Sequence, residues 1–350
     1  LVVKAAVFEG PRTLSIQNLP DPVAGANDIV VKVSQCGICG SDLHSYLEGA
    51  FVAPGQVMGH EFSGSIVSVG SLVEGLAEGD RITANPLSAC GRCPRCLEGA
   101  THLCETGLAA SVAYGLPGAF AEYVRVPQVI LGGNVFKIPD NVSDAAAAMA
   151  EPISVGLHAA KMCAPLPTDT CVVIGLGSIG LNVVQMLKIM GAGRVIGIDV
   201  SPTRLALAQQ LGADIVINGK NDDALAAVQD LTGVGAYGVG ARADIVVEAS
   251  GVTALLNQAI TMTRAGGKLR MAALYEGDVP IDGNQIVQKE MSVGGTFAYK
   301  GEFAQVLSML SDGRAKAEPM ISHTFALDQI DDAFVAQLAK DTSVKVQITP

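Results

Sequence analysis

The sequence predicts an α/β fold in which a doubly wound parallel sheet domain is inserted into a β-rich domain. Three observations predict it. From Cys171 to Ala273, short β-branched runs alternate with helical segments, the rhythm of strand–helix–strand units in a parallel sheet. The first ~150 residues instead carry many glycines and prolines between short runs such as Ile29-Val30-Val31-Lys32-Val33 and Ile66-Val67-Ser68-Val69, the pattern of strands joined by turns. The last fifty or so residues are too few for a core of their own, so they are expected to pack back on the first domain. The expected division is 1–154 with 294–350 for the β-rich domain and 155–293 for the sheet domain.

Each element follows from local chemistry. Ser143 is suited to cap an Ala-rich helix, which Glu151-Pro152 is expected to interrupt. Val172-Val173-Ile174 reads as a buried strand and Ile179–Ile189 as a helix. Arg194–Asp199 is a strand. Ser201-Pro202 then sets an N-cap with proline at the first helical position, ahead of Leu205, Ala208 and Leu211 on one face. Ile215–Ile217 is a strand, Asp222–Leu231 a helix and Ala243–Glu248 a strand. Thr253–Arg264 is a helix and Lys268–Ala273 a strand. Gly233–Gly240, with four glycines, reads as an inserted loop. Phe303, Val306, Leu307 and Leu310 mark a late helix by their i, i+3, i+4, i+7 spacing, and Val344–Ile348 a last strand.

Composition narrows the function. A length of 350 residues fits about two domains, and 49% apolar residues supply an ample core for each. The net charge of −11 argues against nucleic acid or an anionic membrane as partner, since both need a basic face. Cys171–Leu187 is uncharged, but its three glycines, Asn182 and Gln185 make it a strand–turn–helix, not a membrane span. Lys4 and the mixed segment through Glu9, Gly10 and Pro11 predict no secretory leader. Clustered cysteines fit a reducing, cytoplasmic setting.

Half of the eight cysteines lie in one stretch: Cys90, Cys93, Cys96 and Cys104, spaced C-x2-C-x2-C-x7-C. Four thiolates at this spacing close a tetrahedron around one Zn²⁺ with no open position, which makes the site structural. An iron–sulfur cluster is the rival, but its run has three residues before the last cysteine and a proline after it. Here seven precede and Glu105 follows. Farther on, Gly175-Leu176-Gly177-Ser178-Ile179-Gly180 follows an apolar strand and opens a helix, the context in which G-x-G-x-x-G binds a dinucleotide. Gly175 makes the turn, Gly177 admits the pyrophosphate, Gly180 lets helix and sheet pack, and Ile179 stands within the loop. Asp199 at the end of the next strand is placed to accept the ribose hydroxyls, favouring NAD over NADP. Arg204 is a candidate to stack on adenine and leaves NADP use open. Ser250 follows a later strand's C-terminus, where such ligands lie.

A second metal site is suggested by Cys39 and His60, a soft ligand and an imidazole. Spacing alone supports it weakly, and Glu61 and Glu151 both remain candidates for a third ligand. Cys36 reads as a buried small side chain.

Taken together, the motifs carry a resemblance. Gly37–His44 (G-I-C-G-S-D-L-H), Gly59–Gly70 (G-H-E-F-S-G-S-I-V-S-V-G), the four-cysteine lobe, Ala150-Glu151-Pro152 and the glycine fingerprint stand in the order found in zinc-containing medium-chain alcohol dehydrogenases. Within that superfamily the chain resembles the polyol branch of sorbitol, 2,3-butanediol and threonine dehydrogenases. Gly40 after Cys39 is usual in that branch. The resemblance spans nearly the whole chain and implies a GroES-like catalytic domain with a Rossmann NAD-binding domain. It also implies two Zn²⁺ per chain, one catalytic and one structural. By the same resemblance Cys39 and His60 hold the catalytic zinc together with Glu151, bound directly or through water, while Glu61 is able to exchange onto the metal. Ser41 bonds the substrate oxygen, Asp42 orients the His60 imidazole, and His44 ends a proton relay. Tyr46, Phe51 and Phe120 are pocket candidates by analogy, with a core role as the other reading.

The implied reaction is hydride transfer between a secondary alcohol, diol or polyol and NAD, giving the ketone; Zn²⁺ supplies the acidity a neutral alcohol lacks. The alternatives are a zinc-independent medium-chain reductase, which would lack Cys39, His60 and the cysteine lobe, and a non-catalytic nucleotide-binding relative. The expected partners are a small alcohol or ketone and further copies of the chain, as a homotetramer before a dimer, with Met291–Tyr299 as a sheet edge suited to pairing.

Overall fold

The computed structural model describes residues 2–350. The chain forms two compact units, Leu1–Pro152 with Lys300–Pro350, and Ile153–Tyr299.

The first unit is built on antiparallel pairing. Val2–Gly10 lies between Thr13–Pro20 and Gln56–Val57 in a small sheet. A seven-stranded sheet runs Ile321–Ala326, Lys345–Thr349, Ile29–Gly37, Glu61–Val69, Arg81–Ala84, Val135–Lys137, with Tyr123–Val126 also paired to Ile29–Gly37. The late strand Lys345–Thr349 enters beside the early one through Gln347 opposite Gly37 and Ile348 opposite Cys36, so backbone hydrogen bonds fasten the C-terminal segment into the unit. Phe8, Ile29, Phe62, Ile66, Phe120, Phe334 and Val346 fill the core between the layers. Tyr46 and Phe120 belong to that core: Tyr46 is 4.7 Å from Phe334 and Phe120 is 5.9 Å from it, centroid to centroid. Of the two readings offered for them, both take the core role, their apolar surface spent on packing. Phe51 is exposed.

The second unit is a six-stranded sheet, parallel throughout, in the order Ile215–Asn218, Arg194–Asp199, Thr170–Ile174, Ala243–Glu248, Thr263–Met271, Ser292–Gly295. Thr170–Ile174 is buried along its whole length, as expected of a central strand covered by helices on both faces. The chain order reverses between it and Ala243–Glu248, which opens a crevice at the C-terminal ends of those strands. Ser292–Gly295 forms the edge, within the segment expected to do so.

Three local expectations shift. The Ala-rich segment breaks at Met149, between helices Asp144–Ala148 and Ala150–Cys163, so Glu151 and Pro152 sit in the first turn of the second helix, where a missing N–H costs nothing. Ser143 caps the first helix as expected, accepting from the Ala146 N–H. The helix from Thr253 ends at Met262, not Arg264, and the following strand begins at Thr263, well before Lys268. Thr263 is extended, and its hydroxyl back-bonds to Ala259 O at 2.8 Å, ending the helix two residues early.

Candidate active site

Gly37 stands opposite Glu61 where two strands pair. A methyl group at Gly37 would lie 2.2 Å from a Glu61 carboxylate oxygen, so only glycine allows that side chain to fold inward. Two residues on, Cys39 caps the helix Gly40–Glu48. Its N–H donates to Asp42 Oδ2 at 2.9 Å, and Gly49 ends the helix in the left-handed conformation. On the other strand, Gly59 has φ +89, and a Cβ there would meet Phe120 at 2.7 Å and Cys36 Sγ at 2.9 Å. This tight turn delivers His60 and Glu61 side by side into the interior.

The ligand atoms of Cys39, His60 and Glu61 all lie within 4.8 Å of one another. His60 and Glu61 are buried and Cys39 is half-buried. His60 Nδ1 has no hydrogen-bond partner. The carboxylate of Asp42 is 3.8 Å from it, too far for a hydrogen bond, and is used instead to hold the Cys39 N–H and, at 3.4 Å, the Gly59 N–H. Asp42 thus fixes the backbone on both sides of the cluster. Burial raises the Asp42 carboxyl. Burial alone would lower the His60 imidazole, but Tyr114, Asp42 and Cys39 outweigh it and hold the group well above its usual range. A thiol, an imidazole and a carboxylate in a field that favours positive charge fit a divalent zinc ion. Glu151 is buried in the first turn of its helix but is not a member of this cluster.

Two residues at the site had no signature in the sequence. Lys345 Nζ donates to both Glu61 oxygens, at 2.6 and 2.7 Å, and to Ile38 O at 2.9 Å, all inside the core. A lone lysine in the apolar run Val344–Ile348 was the available hint. Tyr114 places its hydroxyl 3.2 Å from Ser41 Oγ and its ring 5.4 Å from that of His60. Burial pushes the Tyr114 phenol up to about 12, so it keeps its proton. His44 is half-buried, three residues beyond Ser41 on the same helix, a spacing that puts both on one side.

In the cysteine lobe, Cys90, Cys93, Cys96 and Cys104 bring their sulfurs within 4.8 Å of one another, and all are free thiols. Cys93 caps the short helix Pro94–Leu97, and its N–H donates to Cys90 Sγ at 3.3 Å; the Cys90 N–H donates to Cys104 Sγ at 3.2 Å. The N–H groups of Arg92 and Cys93 lower the Cys90 thiol to about 6, while burial raises Cys96 to about 12. Four thiolates so close need a cation to ionise together, which zinc supplies. Leu97, Leu103 and Leu108 are exposed around it, so apolar burial contributes little to holding the lobe.

In the second unit, Gly175 has φ +87, and a Cβ on it would sit 2.6 Å from the Ser250 backbone nitrogen. A Cβ on Gly180 would fall 1.8 Å from Gly175 O, whereas nothing lies within 4 Å of that position on Gly177. The outer glycines serve the fold and the middle one leaves a space, as a pyrophosphate cradle at the N-terminus of helix Ser178–Ile189 requires. Ile179 is half-buried in its first turn. Asp199 accepts from the N–H groups of Leu176 at 2.6 Å, Val200 at 2.7 Å and Ser201 at 2.9 Å, which locks the carboxylate at the end of its strand. Arg204 is in the first turn of the next helix. Ser250 donates N–H and hydroxyl to buried Glu248, which also accepts from Tyr275 OH, so the loop after that strand is pinned. Gly175→Ala is expected to weaken NADH binding tenfold or more, since the new methyl meets backbone and not a movable side chain; a fluorescence titration with NADH measures it.

Comparison with known proteins shows the family to which the chain belongs. The family described as zinc-binding dehydrogenase matches residues 178–312, and the alcohol dehydrogenase GroES-like domain matches 25–140. Sorbitol dehydrogenase of Bacillus subtilis (strain 168) is 34% identical over 99% of this chain and 97% of its own length. The chain belongs to the zinc-binding alcohol dehydrogenase superfamily, in its polyol branch. The crystal structure of 2R,3R-butanediol dehydrogenase from Bacillus subtilis resembles this dehydrogenase with a TM-score of 0.87 at 34% identity, covering 99% of each chain. A zinc-binding dehydrogenase from Sinorhizobium meliloti 1021, solved with NADP, gives 0.89 at 30% identity over 100% of both chains. The fold is therefore a GroES-like domain with a Rossmann-type domain, and the cofactors are zinc and NAD(P). Among the described residues, no helix is long and apolar enough to cross a membrane.

Proposed function

We propose that this dehydrogenase oxidises a secondary alcohol of the diol or polyol class to the ketone, passing hydride to NAD. The observation that carries the reading is the Cys39–His60–Glu61 cluster with the Ser41 hydroxyl on the adjoining helix turn. Zinc bound there supplies the Lewis acidity that makes an alcohol a hydride donor. Around it, Ser41 takes the substrate's hydroxyl proton as it passes its own, through the nicotinamide ribose, to His44 and solvent. Asp42 keeps Cys39 and Gly59 in place. Glu61, not Glu151, is our choice for the third protein ligand, because it alone of the two shares the cluster. Asp199 supports NAD over NADP, since its locked carboxylate would repel a 2′-phosphate. The cytoplasm suits its eight free cysteines. A homotetramer is our choice of assembly, paired through the edge strand Ser292–Gly295.

The test is NADH formation with sorbitol, xylitol, butane-2,3-diol, threonine and cyclic secondary alcohols, each with and without a chelator. Chelator-sensitive turnover of one class is expected; NADH binding without turnover of any alcohol by the zinc-loaded protein would count against the reading and favour a non-catalytic relative. Ser41→Ala is expected to lower turnover by about 10²–10⁴-fold while NADH affinity stays unchanged.

A further inference from the structure

Tyr114 is held at the tip of a loop with little freedom. Ser111 O accepts the N–H groups of Tyr114, Gly115 and Leu116 at 3.3, 3.1 and 3.0 Å. Ala113 is left-handed at φ +72, and Gly115 has Ala109 O only 2.0 Å from where a Cβ would stand. Backbone strain of this kind persists when the surroundings over-determine the loop. The loop places the Tyr114 hydroxyl 3.2 Å from Ser41 Oγ and lays the ring over His60.

A phenylalanine would serve the ring contact equally well, so the hydroxyl calls for its own account. Among the described residues, neither the Ser41 nor the Tyr114 hydroxyl has another hydrogen-bond partner. Each offers a donor and acceptor lone pairs, so the pair has capacity left over at the metal cluster. A simple alcohol brings one oxygen and needs one of these groups. Two oxygens on adjacent carbons in a gauche arrangement lie about one hydrogen-bond length apart, the separation of this hydroxyl pair.

We propose that Tyr114 is a substrate-binding residue that takes the second oxygen of a vicinal diol or α-hydroxyketone, while Ser41 takes the reacting one. This rests on the reading above in giving Ser41 the reacting oxygen. The substrate class narrows accordingly to molecules with neighbouring oxygens. Linear polyols qualify as well as short diols, and isolated secondary alcohols bind more weakly.

The test compares butane-2,3-diol with butan-2-ol, which share a carbon skeleton and differ by one hydroxyl. Dissociation constants are measured by calorimetry on the zinc-loaded protein saturated with NADH, alongside kcat/KM, for the native chain and for Tyr114→Phe. The native chain is expected to prefer the diol, and Tyr114→Phe to weaken diol binding by about tenfold while butan-2-ol changes by about twofold or less, the effect of one neutral hydrogen bond. Phenylalanine keeps the ring over His60, so zinc content and NADH affinity are expected to stay the same. The proposal is overturned if the native chain shows no diol preference, if both ligands weaken alike, or if Tyr114→Phe loses zinc. Failure of every alcohol to support turnover would sink the functional reading, and the two dissociation constants would still decide the role of Tyr114.

Discussion

Cys39→Ala is expected to cut turnover by three orders of magnitude or more, and His60→Ala to do the same. The metal's contribution to such a reaction is several kcal/mol, and each ~1.4 kcal/mol is a factor of ten. Cys39 and His60 are two of the cluster's three members, with Glu61 the third. Neither replacement supplies another ligand. The zinc content of each variant, measured by atomic absorption, is expected to fall from two ions per chain to one, because the cysteine lobe does not share a residue with this cluster. NADH affinity is expected to hold, since the glycine loop belongs to the other unit. A variant that keeps two zinc ions and native turnover would remove the cluster from the mechanism.

Lys345→Met is expected to destabilise the metal-free protein by about 3–5 kcal/mol, the usual result of stranding one member of a buried ion pair. Glu61 and Lys345 are both inside the core, and methionine leaves the carboxylate facing a thioether. Burial works against the lysine charge, but Glu61 and Cys39 outweigh it and hold Lys345 above its ordinary range. A raised lysine contributes its stability below its unfolded-state value and loses it only as pH climbs through the folded one, so the pair persists across neutral pH. Combining Lys345→Met with Glu61→Gln is expected to recover a large part of the loss, because the uncompensated charge is gone. Denaturant midpoints for the four proteins of that cycle measure the coupling. Simple additivity of the two losses would mean that the pair does not stabilise the fold.

What the sequence disclosed and what it hid divide along a physical line. The cysteine lobe and the glycine fingerprint are local: a few residues determine both the backbone path and the chemistry, so spacing was enough. Cys39 and His60 needed more, since spacing alone left them ordinary core residues until the surrounding motifs gave them a family context. Tyr114 and Lys345 were out of reach. Their partners are 73 and 284 residues away, joined by loop placement and strand register that no local pattern records. That Glu61 folds inward beside Cys39 and His60 was hidden for the same reason, because it depends on the glycine across the strand pair at Gly37. For Tyr46 and Phe120 the sequence left pocket and core both open, and the packing against Phe334 that places them in the core is long-range. The early end of the helix at Met262 was not legible either, because it turns on Thr263 taking an extended backbone, with its hydroxyl bonded to the preceding turn.

The long reach between Glu61 and Lys345 also has a consequence for biosynthesis. The carboxylate leaves the ribosome 284 residues ahead of the ammonium that neutralises it. At ordinary elongation rates that interval is on the order of tens of seconds. Throughout it the nascent first half holds a carboxylate that is costly to bury alone, and the strand that completes its sheet has not been made. The Glu61–Lys345 pair therefore closes only once the strand Lys345–Thr349 has been made, late in the assembly of this sheet.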